Sequence, residues 1–381
     1  MKNPFVFDKF AVDASFCGRT KEIATLIQRC ESSSNSLIYG RRRYGKSSLI
    51  HQTFKQLNTK NYVCVYVDLF DANDEYDVAK LIYAACAKAL SVYSKTRQGV
   101  KNFFKKIALE TEIGIDGGVS FIPKLTDLEF EDYLSDALNS LEAYAQKSDK
   151  RVVIALDEFQ QIALFNKSLD ATLRKHVQAK HDFVWMFSGS KRHLLSQLFF
   201  DQSNPLYRQA EGIEIKGIEE AEFYEFAKAN LHLPLSQDCF AAIYQLADGE
   251  SKLIQQICNK LFYGAETLQL KAIDIESVRT VVNEILDQED GIYRMIDGNL
   301  SPNQRKTLRH IVRFQGEELA KNDRLRSTNI AKSSLMSALK SLYDGVKGQG
   351  YIIDKDYDTY FIPDRAFELW LYRNVFSKLP I

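Results

Sequence analysis

The chain is short of several things, and each shortage excludes something. Charge of either sign is not in excess: 50 Lys and Arg stand against 50 Asp and Glu over 381 residues, a formal net of zero. That balance disfavours a dedicated polyanion-coating protein, while leaving room for a local basic patch. The six cysteines (Cys17, Cys30, Cys64, Cys86, Cys239 and Cys258) form no C-x-x-C pair, which argues against a zinc site. Cys64, inside the apolar run YVCVYV, reads as a buried free thiol. The six histidines are scattered without metal-ligand spacing. No apolar run approaches the roughly 18 residues of a membrane span. The N-terminal MKNPFVFDKF has no apolar stretch like that of a signal peptide. No membrane partner and a reducing, cytoplasmic setting are therefore expected. Repeats and low-complexity tracts are also missing.

What is present belongs to a folded protein. Apolar residues make up 45% and charged residues 26%, and 381 residues exceed one ordinary domain. Short β-branched and aromatic runs at 36–40, 62–70, 151–156, 183–188 and 212–216 read as strands. Helical patterns lie between them, at 76–93, 128–145 and 166–180. Strands alternating with helices predict an α/β fold, a parallel sheet with helices on both faces. Residues 96–125 read as an insertion carrying a hairpin about Asp116-Gly117-Gly118. Past residue 219 strand signals stop, and helical patterns fill 219–231, 236–247, 250–267 and 273–289. Residues 290–304 read as a linker. Helices at 303–314 and 328–343, two strands within 351–362 and a last helix then match a winged-helix layout. The predicted domains are 1–218, 219–295 and 296–381.

Two motifs carry chemistry. Gly40-Arg41-Arg42-Arg43-Tyr44-Gly45-Lys46-Ser47 fits G-x-x-x-x-G-K-[ST] in full, and it follows a strand and opens a helix. Glycines let successive N–H groups turn inward onto phosphate oxygens, and the helix that begins there adds the positive end of its dipole. Lys46 is expected to reach the β- and γ-phosphates, Ser47 to ligate Mg²⁺, and Ser48 to continue the loop. The x positions Arg41, Arg42 and Arg43 need not touch phosphate, and meeting an acidic partner or a neighbouring domain is the alternative. The second motif, Val152 to Glu158, delivers two carboxylates at the C-terminal edge of a buried strand, where open α/β sheets hold ligands. Asp157 is expected in the Mg²⁺ shell and Glu158 as the group that orients or deprotonates the attacking water. ATP, or a closely similar triphosphate, with Mg²⁺ is the predicted ligand, and the ATP/ADP cycle the predicted chemistry.

These motifs and their order resemble the AAA+ and STAND branch of P-loop NTPases. More narrowly, the chain is similar to the ATPase family found mainly in archaea. Phe16-Cys17-Gly18-Arg19-Thr20-Lys21-Glu22 matches that family's F-x-G-R-x-x-E, Gly40 to Ser47 its G-R-R-R-x-G-K-[ST], and Leu156 to Gln160 its L-D-E-F-Q. The resemblance implies an AAA+-like core with a helical lid and a C-terminal winged helix. It also implies an adenine contact near Phe16 and Gly18, with Arg19 near the nucleotide or, alternatively, solvated in its loop. A polar sensor group is expected after the fourth strand, at Ser188 or Ser190. Arg208 is expected to sense the γ-phosphate in cis or in trans. Residues 301–381 hold 14 Lys or Arg against 9 Asp or Glu, so a DNA contact through 328–343 is a further expectation, opposed by the acidic DKDYD of the wing. A protein partner or self-assembly is the other. ATPase switch, DNA-associated ATPase and nucleotide-binding scaffold are the competing roles, and Asp157-Glu158 disfavours the scaffold.

Overall fold

The computed structural model describes residues 2–93, 109–113, 119–123, 129–165, 167–180, 182–264, 270–347 and 350–381. They form two compact units, one of Arg19–Arg41 and Gly45–Lys216, the other of Met1–Gly18, Arg42–Tyr44 and Gly217–Ile381.

The first unit runs α1 (Thr20–Glu31), β1 (Ser36–Tyr39), α2 (Lys46–Asn58), β2 (Tyr62–Asp68), α3 (Glu75–Tyr93), β3 (Leu109–Ile113), β4 (Val119–Pro123), α4 (Phe130–Lys147), β5 (Arg151–Asp157), a 3-10 turn at Phe159–Leu164, α5 (Lys167–Ala179), β6 (Phe183–Gly189), α6 (Arg192–Phe199) and β7 (Glu211–Glu214). Strands β2-β5-β6-β1-β7 form one sheet in that order, every pairing parallel. All seven residues of β6, and all of β5 after Arg151, are buried, as helices on both faces of a parallel sheet demand. In its aromatic core Phe187 of β6 packs with Phe159 and Phe199, and Trp185 stacks with Phe187. The five predicted strands are all present. The predicted hairpin is also there, with β3 and β4 paired antiparallel from Leu109↔Pro123 to Ile113↔Val119. Its Asp116-Gly117-Gly118 turn lies outside the described residues. Two helices, α1 and α6, escaped the strand-and-helix reading. The α1 stripe of Ile23, Leu26 and Cys30 is short, and the helix packs against α2.

The second unit contains α7 (Glu220–Asn230), α8 (Gln237–Ala247), α9 (Ser251–Phe262), α10 (Ile275–Gln288), α11 (Asp290–Gly298), α12 (Pro302–Phe314), α13 (Asn322–Thr328), α14 (Lys332–Asp344), the antiparallel pair β8 (Asp354–Asp356) and β9 (Thr359–Phe361), and α15 (Arg365–Phe376). Helix starts follow sequence signals: Ser236, Asp274, Ser301 and Asp364 each accept a backbone N–H of the first turn, and Pro302 opens α12. One apolar core runs from Phe5 through Phe240 and Leu308 to Leu379. The linker expected at 290–304 is a correction. Most of it is α11, because Tyr293 packs against Phe367 and Trp370, the Trp370 indole donates to Asp290 at 2.9 Å, and Asp297 pairs with Arg309. Packing outweighs the Gly and Asn that suggested a break. The helix expected from 328 begins at Lys332, after a left-handed Asn329. Among the described residues no helix is long and apolar enough to cross a membrane.

Candidate functional site

The C-terminal ends of β5, β6 and β1 lie side by side, since Leu156 pairs with Phe187 and Tyr39 with Gly189. Each delivers part of the site. From β1 the chain passes through Gly40 to Gly45 and opens α2 at Lys46. Gly45 takes φ 85°, in the region that glycine adopts without strain, and nothing lies within 4 Å of where a side chain would begin. The loop therefore leaves open space at the start of α2. That helix begins with no side-chain cap and no acid in its first turn, so its leading N–H groups face the space with their positive dipole end. Lys46 is buried, and its ammonium donates to the carbonyls of Gly40 at 3.0 Å and Arg41 at 2.9 Å. Ser48 follows in the same first turn.

From β5 come the two carboxylates. Asp157 is 2% exposed, and its Oδ2 accepts both the Ser47 hydroxyl at 2.5 Å and the Tyr66 hydroxyl at 2.7 Å. Burial, and then the Asp157 carboxylate that it faces, push the pKa of Tyr66 upward. Glu158 sits at φ 52°, in the left-handed region that costs a residue with a side chain on the order of 1 kcal/mol or more. Its N–H donates to Asp157 Oδ1 at 3.0 Å, which ties the turn to its neighbour's carboxylate.

From β6 comes the turn that holds Glu158 from the other side. The Gln160 amide donates to the Glu158 carboxylate and accepts the Ser190 N–H at 3.2 Å, while the Ser190 hydroxyl lies 3.5 Å from the same carboxylate. Gln160 fits only because residue 189 is glycine: a Cβ there would lie 2.1 Å from its amide oxygen. Of the two serines, Ser190 therefore reaches the Glu158 carboxylate, whereas the Ser188 hydroxyl is buried within β6. Tyr66 and Gln160 were not among the expected site residues. Gln160 lies in the quoted L-D-E-F-Q run, but Tyr66 has no sequence signal beyond its place on a strand.

The loop tip belongs to the second unit. Arg43, at φ 66°, forms an ion pair with Asp364 at 2.6 Å and lies 4.0 Å from Glu250, and its carbonyl accepts the Lys252 N–H. The Tyr44 hydroxyl donates to the Asp248 carbonyl at 2.7 Å, and the Arg42 guanidinium lies over the Tyr351 ring. Arg43 thus meets carboxylates, the alternative weighed for the x positions. Burial pushes the Glu250 carboxyl up to about 7, with Arg43 opposing. A carboxyl raised on folding binds more protons folded than unfolded between its two pKa values, so stability falls as pH rises from about 4.5 to about 7. The cost above that window is on the order of 3 kcal/mol, at 1.4 kcal/mol for each of roughly two and a half pH units. Glu250→Gln should flatten this part of the stability profile in thermal melts. An unchanged slope between pH 5 and 7 would mean that Glu250 titrates normally.

Four other expected residues have partners of their own. Arg19 is buried, bonded to Glu22 and to the Lys216 carbonyl, so it is not solvated in its loop. Arg208 is exposed, with its guanidinium over the Tyr207 ring. Phe16 is half-buried, its N–H donating to the Asp13 carbonyl, and Gly18 approaches the Glu222 carboxylate; both belong to the second unit.

The donor set suits a nucleotide with a divalent metal. A buried ammonium and open helix N–H groups suit phosphate. Ser47 and Asp157 offer hard oxygen donors at one point, which suits a cation such as Mg²⁺ that takes one or two protein oxygens and completes its shell with phosphate and water. No cluster of three or more His, Cys, Asp or Glu among the described residues has metal-holding geometry.

Comparison with known proteins gives the fold and the family. The chain aligns over nearly its whole length with three solved structures, and these likenesses show the fold. The Walker-type ATPase of Pyrococcus abyssi has TM-score 0.63 and 17% identity, covering 97% of this chain and 99% of that one. The Aeropyrum pernix ORC1 protein, solved in complex with DNA, has TM-score 0.54 and 14% identity, covering 99% and 97%. The Aeropyrum pernix ORC2 protein has TM-score 0.51 and 14% identity, covering 99% of each chain. No curated protein sequence matches the chain. The family model described as an ATPase domain predominantly from Archaea matches residues 16–257. With its phosphate loop, paired carboxylates and parallel sheet, the chain belongs to that family and is an ATP-hydrolysing enzyme.

Proposed function

We infer that this protein is a Mg²⁺-dependent ATPase whose nucleotide state acts as a molecular switch. The observation that carries the reading is the convergence of Ser47 on Asp157 with Glu158 held beside it. In this reading the loop N–H groups and Lys46 hold the phosphates. Ser47 and Asp157 hold the cation, which when bound neutralises charge on the phosphate oxygens. Glu158 accepts the proton of the attacking water, with Gln160 and Ser190 keeping its carboxylate at the edge of the sheet. The switch follows from the loop tip. Arg43 and Tyr44 are bound to Asp364, Glu250 and Asp248, so a loop that tightens on phosphate pulls on groups at the starts of α9 and α15. Arg208 remains a proposed γ-phosphate contact, in cis or in trans.

A second reading has its own support. Helices α13 and α14 are separated by Asn329, Ile330 and Ala331 alone, the connection of a helix-turn-helix, and the hairpin β8–β9 follows as a wing would. Lys332, Ser333 and Lys340 lie exposed on α14, while Arg324 is bound to Glu318 and the Glu317 carbonyl. This supports a DNA-associated ATPase that uses a winged helix, against the acids Asp354, Asp356 and Asp358 of the hairpin. One experiment separates the two: ATPase rate of the full chain against protein concentration, with and without duplex DNA, at low and high salt. A switch that assembles gives a rate per molecule that rises with concentration and ignores DNA. DNA stimulation that fades steeply with salt favours the second reading. A rate indifferent to both sinks assembly and DNA coupling alike.

A further inference from the structure

We propose that Tyr66 is a positioning residue for the metal-binding half of the site, acting through Asp157; the proposal rests on the assignment of Asp157 and Ser47 to the cation. Tyr66 lies on β2, paired with Ala155 of β5, so it shares a sheet face with Ala155 and with Asp157 two residues further on. Two residues of strand rise by about 6.6 Å, a gap that a phenol spans and a shorter side chain does not. Its hydroxyl closes that gap, at 2.7 Å from Asp157 Oδ2. Ser47 donates to the same oxygen and the Glu158 N–H to the other, so three donors fix a carboxylate that is 2% exposed.

The phenol is itself held. The His51 ring, on α2 one turn beyond Ser47, packs 4.4 Å from the Tyr66 ring. Helix α2 therefore presents one residue to the cation position and a second to the group that orients its carboxylate partner. Ser47 must share its oxygen with a cation, whereas the Tyr66 hydroxyl, bonded to Asp157 from the neighbouring strand, keeps the carboxylate aimed when the cation arrives. Partners of this kind around a metal ligand alter metal affinity by about ten-fold or more when removed.

The test is Tyr66→Phe in the full-length chain, which keeps the ring and removes the donor. A fluorescent ATP analogue is titrated in EDTA and then at fixed concentration against Mg²⁺, and Mn²⁺ binding is read by electron paramagnetic resonance. The expected result is unchanged affinity in EDTA, an unchanged melting temperature within a few degrees, and a half-saturating Mg²⁺ concentration raised about ten-fold. In an Asp157→Asn background Tyr66→Phe should add nothing, because the effect passes through that carboxylate. A wild-type metal requirement in Tyr66→Phe overturns the proposal. So does a loss of metal-free nucleotide affinity that tracks a fall in melting temperature, which marks the phenol as packing only. Nucleotide binding by the wild type that ignores divalent metal would instead overturn the assignment of Ser47 and Asp157.

Discussion

Lys46→Ala is expected to abolish nucleotide binding at working concentrations. The ammonium is buried and held by two carbonyls of its own loop, so it is already placed inside the phosphate-binding turn before a ligand arrives. Alanine removes the one side-chain cation at the start of α2 and leaves the phosphate charge to backbone N–H groups alone. Charged hydrogen bonds contribute about 1.5–3 kcal/mol each, and losing two of them weakens binding roughly 10²- to 10⁴-fold. The fold should survive, because the carbonyls of Gly40 and Arg41 sit on half-buried residues and water can replace the ammonium. Calorimetric titration with ATP, beside a melting curve, measures both effects. ATP affinity equal to the wild type would remove the phosphate-loop assignment.

Glu158→Gln should separate binding from turnover. Glutamine has the same length, can still meet Gln160 and Ser190 across the turn, and leaves Asp157, Ser47 and Lys46 untouched. It cannot take a proton from water. General-base catalysis contributes about 10²–10⁴-fold, so hydrolysis should fall by that factor with ATP affinity within about three-fold of the wild type. Single-turnover measurement with labelled ATP reads the chemical step directly. Wild-type hydrolysis by this variant would take Glu158 out of the base role, and an equal fall in affinity would show that it binds nucleotide instead.

The parts of this site that were legible in sequence share one property: their geometry is local. Gly45, Lys46 and Ser47 follow one another in the chain, so a strand before them and a helix after them fix where they point. Asp157 and Glu158 end a run of buried β residues, and a parallel sheet puts such ends on one edge. Tyr66 and Gln160 were not legible because their roles depend on pairings made by other segments. Tyr66 matters through the register of β2 against β5, and Gln160 through the bare backbone of Gly189 across the sheet. Arg19 shows the converse. Its motif suggested a nucleotide contact, yet folding commits its guanidinium to Glu22 and the Lys216 carbonyl. The 290–304 segment shows the same limit at the level of elements. Its Gly, Asn and Pro argue locally for a linker, and aromatic packing of Tyr293 and Trp370 makes most of it a helix.

The sequence by itself determined the class of this protein: a parallel α/β sheet carrying a phosphate loop and a carboxylate pair, followed by helices. It could do so because strand burial, helix periodicity and phosphate cradling are each written in neighbouring residues. Only the tertiary structure decided that three donors converge on Asp157, that Gln160 bridges Glu158 to Ser190, and that Arg43 answers to Asp364 and Glu250. The Gln160–Ser190, Tyr66–Asp157 and Arg43–Asp364 contacts among them join residues from about 30 to more than 300 positions apart. Each exists only where sheet register and helix packing bring the partners within hydrogen-bonding reach.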